Sequence, residues 1–179
     1  MHRIRFLVAT VIGVAGAAPA VAQDGTTTVF VVRHAEKGLA TPDPSLTEPG
    51  NARARALAHS LHDQKVSAIF SSEFKRTQET AAPLGQELGI ATTVIGAAKT
   101  DDLVTALKAL PSGSTALVVS HSNLVPVIVE RLSGQKVGEL TDSDYDRLYV
   151  VILRTNGAAS VLYLHYGAPS AAGTASMRP

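Results

Sequence analysis

The sequence predicts an α/β fold, a three-layer sandwich with helices on both faces of a mostly parallel sheet and a C-terminal β-hairpin. The run 29–32 contains only β-branched and aromatic residues, as expected of a strand buried on both faces. Short apolar runs of this kind alternate with segments of helical periodicity, which is the pattern of βαβ units. Near the end of the chain, Thr155-Asn156-Gly157 separates two further apolar runs and predicts a hairpin turn.

Each element has its own local signal. Thr47 can cap the first helix, which has Pro49 in its first turn and runs to about residue 63. Gly89 stops the second helix, and Asp101 opens the third with acidic residues in its first turn. Gly134 closes the fourth. The predicted strands span residues 26–32, 66–70, 91–95, 115–119, 147–153 and 160–166, and the predicted helices span 47–63, 74–88, 101–110 and 124–132.

The amino terminus has the pattern of a secretory signal peptide. Arg3 and Arg5 precede an apolar segment, 6–18, and Ala20-Val21-Ala22 has the pattern of a cleavage site. We therefore expect a signal peptide over 1–22, one domain over 23–167 and a flexible tail of small residues over 168–179. An uncleaved membrane anchor is the alternative, but the apolar segment is short for a full span. The protein is expected to be exported, either periplasmic or secreted, without a stable membrane anchor.

Charge and composition exclude several classes of function. Cleavage after residue 22 leaves 14 basic and 15 acidic residues, which changes the formal net charge from +1 to −1. Nucleic-acid-binding proteins usually carry a basic surface, so no nucleic-acid partner is expected. The chain has no cysteine, which excludes disulfides, cysteine-ligated zinc and thiol catalysis.

Polar or cationic side chains follow three of the predicted strands at the point where each ends. They are Arg33-His34, the segment 71–76 that ends in Arg76, and Ser120-His121-Ser122-Asn123. The carboxyl ends of parallel strands share one edge of the sheet, where ligands of α/β proteins bind. Each of these residues alone could be structural, but their shared placement predicts an anion site. Arginine binds phosphate through bidentate hydrogen bonds, and helix N-termini add backbone donors.

These segments resemble the motifs of the histidine phosphatase (phosphoglycerate mutase-like) superfamily. The block Val32-Arg33-His34-Ala35-Glu36-Lys37 is similar to its Arg-His signature, and Val118 to Asn123 resembles the segment with its second histidine. Two further blocks lie between them in the family's order. They are Leu46-Thr47-x-x-Gly50-x-x-Arg53-Ala54 and Ser71-Ser72-x-Phe74-x-Arg76-Thr77-x-x-Thr80-Ala81.

The resemblance implies a metal-independent phosphatase that hydrolyses phosphomonoesters without a cofactor. His34 would attack phosphorus and form a phosphohistidine. Arg33, Arg76 and His121 would hold the phosphoryl oxygens, and Asn123 would add a donor. The residues agree in that the chain contains neither a Walker phosphate loop nor an acidic cluster suited to two cations.

The proton donor for the leaving group is the least defined residue of the site. The branch with phosphoglycerate mutases uses a glutamate downstream of the second arginine, but the matching segment here, 96–103, has none. Asp101 or Asp102 takes a similar place, although both could instead cap a helix. Asp101 is the first candidate, and Glu36 beside the nucleophile is the alternative.

Two alternative functions would use the same phosphate site. A phosphohistidine phosphatase or a phosphoryl transferase of the same superfamily would share the nucleophile. A non-catalytic phosphate- or phospholigand-binding module would keep Arg33, Arg76 and His121 and need no proton donor. The partner is expected to be a phosphorylated small molecule or macromolecule, and the sequence specifies neither the substrate nor the oligomeric state.

Overall fold

The computed structural model describes residues 25–39 and 42–170, and the predicted signal peptide lies outside them. Within these residues, six strands form one sheet in the order β3-β2-β4-β1-β5-β6. The strands are β1 (Thr26–Arg33), β2 (Ala68–Ser71), β3 (Thr92–Val94), β4 (Thr115–Ser120), β5 (Arg147–Arg154) and β6 (Ser160–His165). The helices are α1 (Glu48–Leu61), α2 (Lys75–Leu88), α3 (Thr100–Lys108) and α4 (Val125–Ser133).

The sheet confirms the predicted fold class. Strands β3, β2, β4 and β1 run parallel, whereas β5 and β6 pair antiparallel and form the C-terminal hairpin. Residues of β1 alternate between two cores, as the two-residue period of a strand requires. Val29 and Val31 pack with α3 and α4, while Phe30 and Val32 pack with α1 and α2. The two helix pairs therefore cover opposite faces of the sheet.

Element boundaries differ from the predicted ones by a few residues. The segment 66–70 was predicted as a strand, but β2 begins at Ala68, where pairing with Ala116 starts, and continues to Ser71. Val66 is buried ahead of the strand, so its apolar character reflects packing instead of strand pairing. No described helix is long and apolar enough to cross a membrane.

Residues 168–170, which follow the boundary predicted at residue 167, form hydrogen bonds with the rest of the domain. The backbone oxygen of Ala168 accepts a hydrogen bond of 2.8 Å from Arg53. The Ser170 hydroxyl donates one of 2.6 Å to Asp146, whose carboxylate also accepts the Ser170 N–H. These bonds attach Ala168 and Ser170 to α1 and to Asp146 at the start of β5.

Candidate active site

Three adjacent parallel strands, β2, β4 and β1, end at the same edge of the sheet. Arg33 pairs with Ser120 in the sheet register, and the backbone N–H of His34 donates to the Ser120 oxygen at 2.8 Å. Ser71 ends β2 on the other side of β4. The residues that follow these ends, His34, His121 and Ser72, therefore lie side by side, as the sequence predicts.

His34 is held in one orientation with one ring nitrogen free. Its side chain is buried, and Nδ1 lies 2.8 Å from the backbone oxygen of Ala35. Because a carbonyl oxygen can only accept, Nδ1 carries the hydrogen and Nε2 of the neutral ring keeps its lone pair. The Ala35 N–H donates in turn to Thr80 Oγ1 at 2.9 Å, which fixes the peptide that orients the ring.

The electrostatics around His34 favour its neutral form. The pKa of its imidazole is lowered from 6.5 to about 3, chiefly by burial and also by the nearby charges of Arg33, His121 and Arg76. The hydrogen bond to Ala35 opposes this change. At neutral pH the free Nε2 is therefore unprotonated and able to act as a nucleophile.

Arg33 is fixed by the loop between α4 and β5. Its Nη1 donates to the backbone oxygens of Thr141 at 2.9 Å, Asp142 at 3.0 Å and Asp144 at 3.3 Å. The guanidinium also stacks on Tyr145, with its central carbon 4.1 Å from the ring centroid. Nε is buried and has no hydrogen-bond partner. One side of the guanidinium thus anchors the loop, and another donor stays available for a ligand.

Arg76, in the first turn of α2, provides the second cation. Its Nη1 lies 3.6 Å from the Asp43 carboxylate, and its guanidinium covers the ring of Phe74 at 4.3 Å. Nη2 lies 3.5 Å from His121 Nδ1, and Nε is buried without a partner. Arg33 and Arg76 therefore both line the site with an unpaired donor, which is costly unless an acceptor arrives.

His121 is connected to a chain of hydroxyl groups. Its Nε2 lies 2.9 Å from Ser72 Oγ, which lies 2.8 Å from Thr77 Oγ1. The Thr77 hydroxyl donates to the backbone oxygen of Phe74 at 2.7 Å. Sequence reasoning assigned no role to Ser72 and Thr77, although both stand in the block that carries Arg76. They orient the His121 ring.

Burial lowers the pKa of His121 from 6.5 to about 4, and the charges of Arg76 and Arg33 contribute in the same direction. Glu73 opposes them. When the pKa of a histidine is lower in the folded state than in the unfolded state, the protein is most stable above the unfolded-state pKa of 6.5. Stability then decreases as the pH falls from 6.5 through the folded-state pKa.

The pH dependence of stability tests these values. We expect the free energy of unfolding to decrease between pH 6.5 and pH 4, because the unfolded chain then binds protons at histidines that the folded protein keeps neutral. His121→Asn should reduce the slope over this interval, as measured by urea unfolding at several pH values. An unchanged slope would mean that His121 titrates normally in the folded protein.

The side chains surround an open cleft of about 370 Å³. Its lining includes Arg33, His34, Arg76, His121 and Asn123, so the structure brings together these five predicted residues. Asn123 is exposed at the rim, whereas both histidines are buried. The rest of the lining is formed by Lys37, Phe74, Ala97, Ser122, Leu124 and Asp142. Two guanidinium groups and two imidazoles at one cleft form a site suited to a phosphoryl group.

Asp101 is not brought to the cleft. Its exposed carboxylate forms an ion pair with Arg131, in the last turn of α4. The α4 helix begins near His121, and Arg131 lies about 9 Å farther along its axis than Val125. Asp101 is therefore held near the far end of α4, away from the His34 side chain. Its neighbour Asp102 is also exposed and absent from the cleft lining.

Glu36 is occupied by a structural ion pair. Arg53 donates from Nε to both carboxylate oxygens at 3.0 Å and from Nη2 to Oε1 at 2.7 Å. Its Nη1 donates to the backbone oxygens of Tyr166 and Ala168. Burial alone would lower the pKa of Arg53, but the bonds and charge of Glu36 raise it overall. Glu36 is also absent from the cleft lining, so its carboxylate fixes α1 instead of facing the site.

Removal of this ion pair should be costly. We expect Arg53→Met to lower the free energy of unfolding by roughly 3 kcal/mol, because it leaves Glu36 without its partner. Arg55→Met is the matched control on the same helix, since the exposed pair of Arg55 with Glu48 should contribute less than about 1 kcal/mol. Urea unfolding measures both changes. Equal losses in the two variants would contradict a structural role for Arg53.

Comparison with known proteins agrees with this geometry. The family model of the histidine phosphatase superfamily (branch 1) matches residues 29–97. The PE-PGRS family protein PE_PGRS11 of Mycobacterium tuberculosis is 44% identical over 57 residues, which are 31% of this chain. The match spans only 10% of that relative's length.

Solved structures share the fold over most of their length. The protein histidine phosphatase SixA, complexed with tungstate, has a TM-score of 0.60 at 21% identity, covering 77% of this chain and 96% of its own. A SixA-type protein described as a phosphohistidine phosphatase from Nakamurella multipartitia gives 0.60 at 22%, with coverage of 80% and 98%. A mycobacterial glucosyl-3-phosphoglycerate phosphatase, Rv2419c, gives 0.60 at 16%, with coverage of 71% and 90%.

Proposed function

We propose that this chain is a phosphatase of the histidine phosphatase superfamily and that it hydrolyses phosphomonoesters through a phosphohistidine formed on His34. The single observation that supports this most is the orientation of His34. Its Nδ1–H is engaged by Ala35, its pKa is lowered to about 3, and its Nε2 is therefore an unprotonated nucleophile. Two arginines beside it match the charge of a phosphate group.

The reaction has two steps. In the first, Nε2 of His34 forms a bond to phosphorus while the bond to the ester oxygen breaks, and the alcohol leaves with a proton. In the second, water attacks the phosphohistidine and releases inorganic phosphate, which returns His34 to its neutral state.

The cations of the cleft stabilise the charge that develops in both transition states. The Nε donors of Arg33 and Arg76 have no protein partner and can bond to phosphoryl oxygens. A phosphate dianion would raise the pKa of His121 and favour a protonated ring that donates to the same group. Asn123 at the rim adds an amide donor. None of these steps requires a metal ion.

Hydrolysis of a chromogenic ester tests the proposal. The purified protein, with a chelator present, should release nitrophenolate from para-nitrophenyl phosphate, and inorganic phosphate should inhibit competitively. Binding of phosphate without turnover of any phosphate ester would instead favour the non-catalytic phospholigand-binding module.

A phosphorylated protein is a second candidate substrate. The rim of the cleft is formed by exposed side chains, including Lys37, Asn123 and Asp142, so a bulky phosphorylated segment has access. A phosphohistidine substrate would suit the site as well, and two of the solved structures that share the fold are described as acting on this group. Comparison of a phosphohistidine peptide with a phosphoserine peptide, at equal concentration, separates these alternatives.

A further inference from the structure

We propose that Asp142 is the proton donor to the leaving group. The inference rests on the proposed phosphatase function and adds a catalytic residue to it. Asp142 lies in the loop between α4 and β5, far in sequence from the strand ends that carry the nucleophile and the cations.

The backbone of this loop is fixed against the phosphate site. Arg33 Nη1 binds three of its carbonyl oxygens, including that of Asp142 at 3.0 Å. Within the loop, the Asp144 carboxylate accepts the N–H of Thr141 at 2.7 Å and its hydroxyl at 2.9 Å. The same guanidinium that would clamp phosphate therefore holds the backbone of Asp142 beside the cleft.

The side chain of Asp142, in contrast, projects into solvent. It is fully exposed, and its nearest charged contact is a long one of 3.9 Å between Oδ1 and Arg33 Nη2. It nevertheless lines the cleft. An exposed carboxyl group on a backbone fixed beside the cleft is accessible to a substrate atom at the mouth.

The geometry of phosphoryl transfer directs the leaving group to that mouth. Attack and departure are roughly in line, so the leaving oxygen lies on the side of phosphorus opposite to His34. His34 is only 4% exposed and forms the floor of the cleft, whereas Asp142 stands at the open side. A phosphoryl group between them would present its ester oxygen toward Asp142.

The other carboxylates near the cleft are bound to groups of the protein itself. Glu73 accepts the N–H of Ala97, and Asp43 accepts the N–H of Lys75 and pairs with Arg76. Glu36 is bound by Arg53. Among the described residues that line the cleft, Asp142 is the one carboxylate.

Asp142 acts first as an acid and then as a base. The protonated carboxyl of Asp142 gives its proton to the ester oxygen as the P–O bond breaks and the His34 N–P bond forms. The resulting carboxylate then accepts a proton from the water that attacks the phosphohistidine, which restores the acid.

Leaving groups of different basicity test the role. In Asp142→Asn, kcat for an alkyl phosphate such as glycerol 3-phosphate should fall about 100-fold, because an alkoxide needs protonation to leave. For para-nitrophenyl phosphate the fall should be less than about threefold, since nitrophenolate leaves readily. Asp142→Glu should restore much of the alkyl activity.

Asp102→Asn is the matched control, because Asp102 is an exposed aspartate outside the cleft. It should leave both activities unchanged. Equal losses on the two substrates in Asp142→Asn would overturn the proposal in favour of an effect through Arg33, and no loss on either would also overturn it. Wild-type activity on the aryl ester alone would refute the acid role while leaving the phosphatase function intact. Inactivity of the wild type on every ester would refute the phosphatase function itself.

Discussion

Replacement of His34 by asparagine should reduce kcat for para-nitrophenyl phosphate by at least about 1,000-fold, because the variant loses the nucleophile. The asparagine amide can still donate to the Ala35 oxygen that His34 Nδ1 now contacts at 2.8 Å, so the strand end should keep its conformation. Steady-state kinetics on the folded variant, verified by circular dichroism, measure the effect.

His59→Asn is the control for this substitution, because His59 is an exposed histidine of α1 outside the cleft. Its kcat should match that of the wild type. Retention of more than about a tenth of wild-type activity in His34→Asn would mean that His34 does not form the covalent bond, since removal of a nucleophile costs far more.

Arg33→Lys should lower kcat by about 100- to 1,000-fold even though the positive charge is kept. Arg33 uses Nη1 for three loop carbonyls, while Nη2 contacts the Tyr145 hydroxyl and Nε has no protein partner. A lysine ammonium has only one nitrogen to contact both the loop and a phosphate. We expect kcat to fall more than the affinity for inorganic phosphate, because the donors matter most where charge develops.

Arg55→Lys provides the comparison, since Arg55 is an exposed cation of α1. It should leave kcat unchanged. If the kcat of Arg33→Lys stayed within about threefold of the wild type, only the positive charge at this position would be needed. That result would contradict a requirement for several guanidinium donors.

The placement of the site could be predicted because it depends on strand topology. Arg33 and His34 directly follow an apolar run typical of a buried strand, His121 follows another after Ser120, and Arg76 comes shortly after a third. Parallel neighbours end at one edge, so their convergence followed from the order of the elements. In the structure, Arg33 pairs with Ser120, so the ends of β1 and β4 lie side by side.

The partners of the acidic residues could not be predicted in the same way. Arginines are mostly exposed in proteins, yet Arg53 is 5% exposed. Its burial depends on Glu36, 17 residues away, and on the Tyr166 oxygen, 113 residues away. Helical periodicity describes a cation only as polar, so contacts at such separations are invisible to it. The ion pair of Asp101 with Arg131 could not be predicted for the same reason.

The loop that carries Asp142 shows a further limit. Its acidic composition is typical of a solvated loop, yet Asp142 lines the cleft. The attachment to Arg33 through backbone carbonyls has no side-chain signature, because any residue supplies a carbonyl oxygen. Only the structure could identify this loop as the support of the predicted phosphate clamp.

Direct detection of the covalent intermediate tests the central claim. The protein is mixed with a rapidly hydrolysed aryl phosphate, quenched within milliseconds under alkaline denaturing conditions that preserve phosphohistidine, and analysed by peptide mass spectrometry. The account predicts one phosphoryl group on His34 Nε2, absent from His34→Asn. Turnover with the phosphoryl group on another residue, or sustained turnover in His34→Asn, would contradict it.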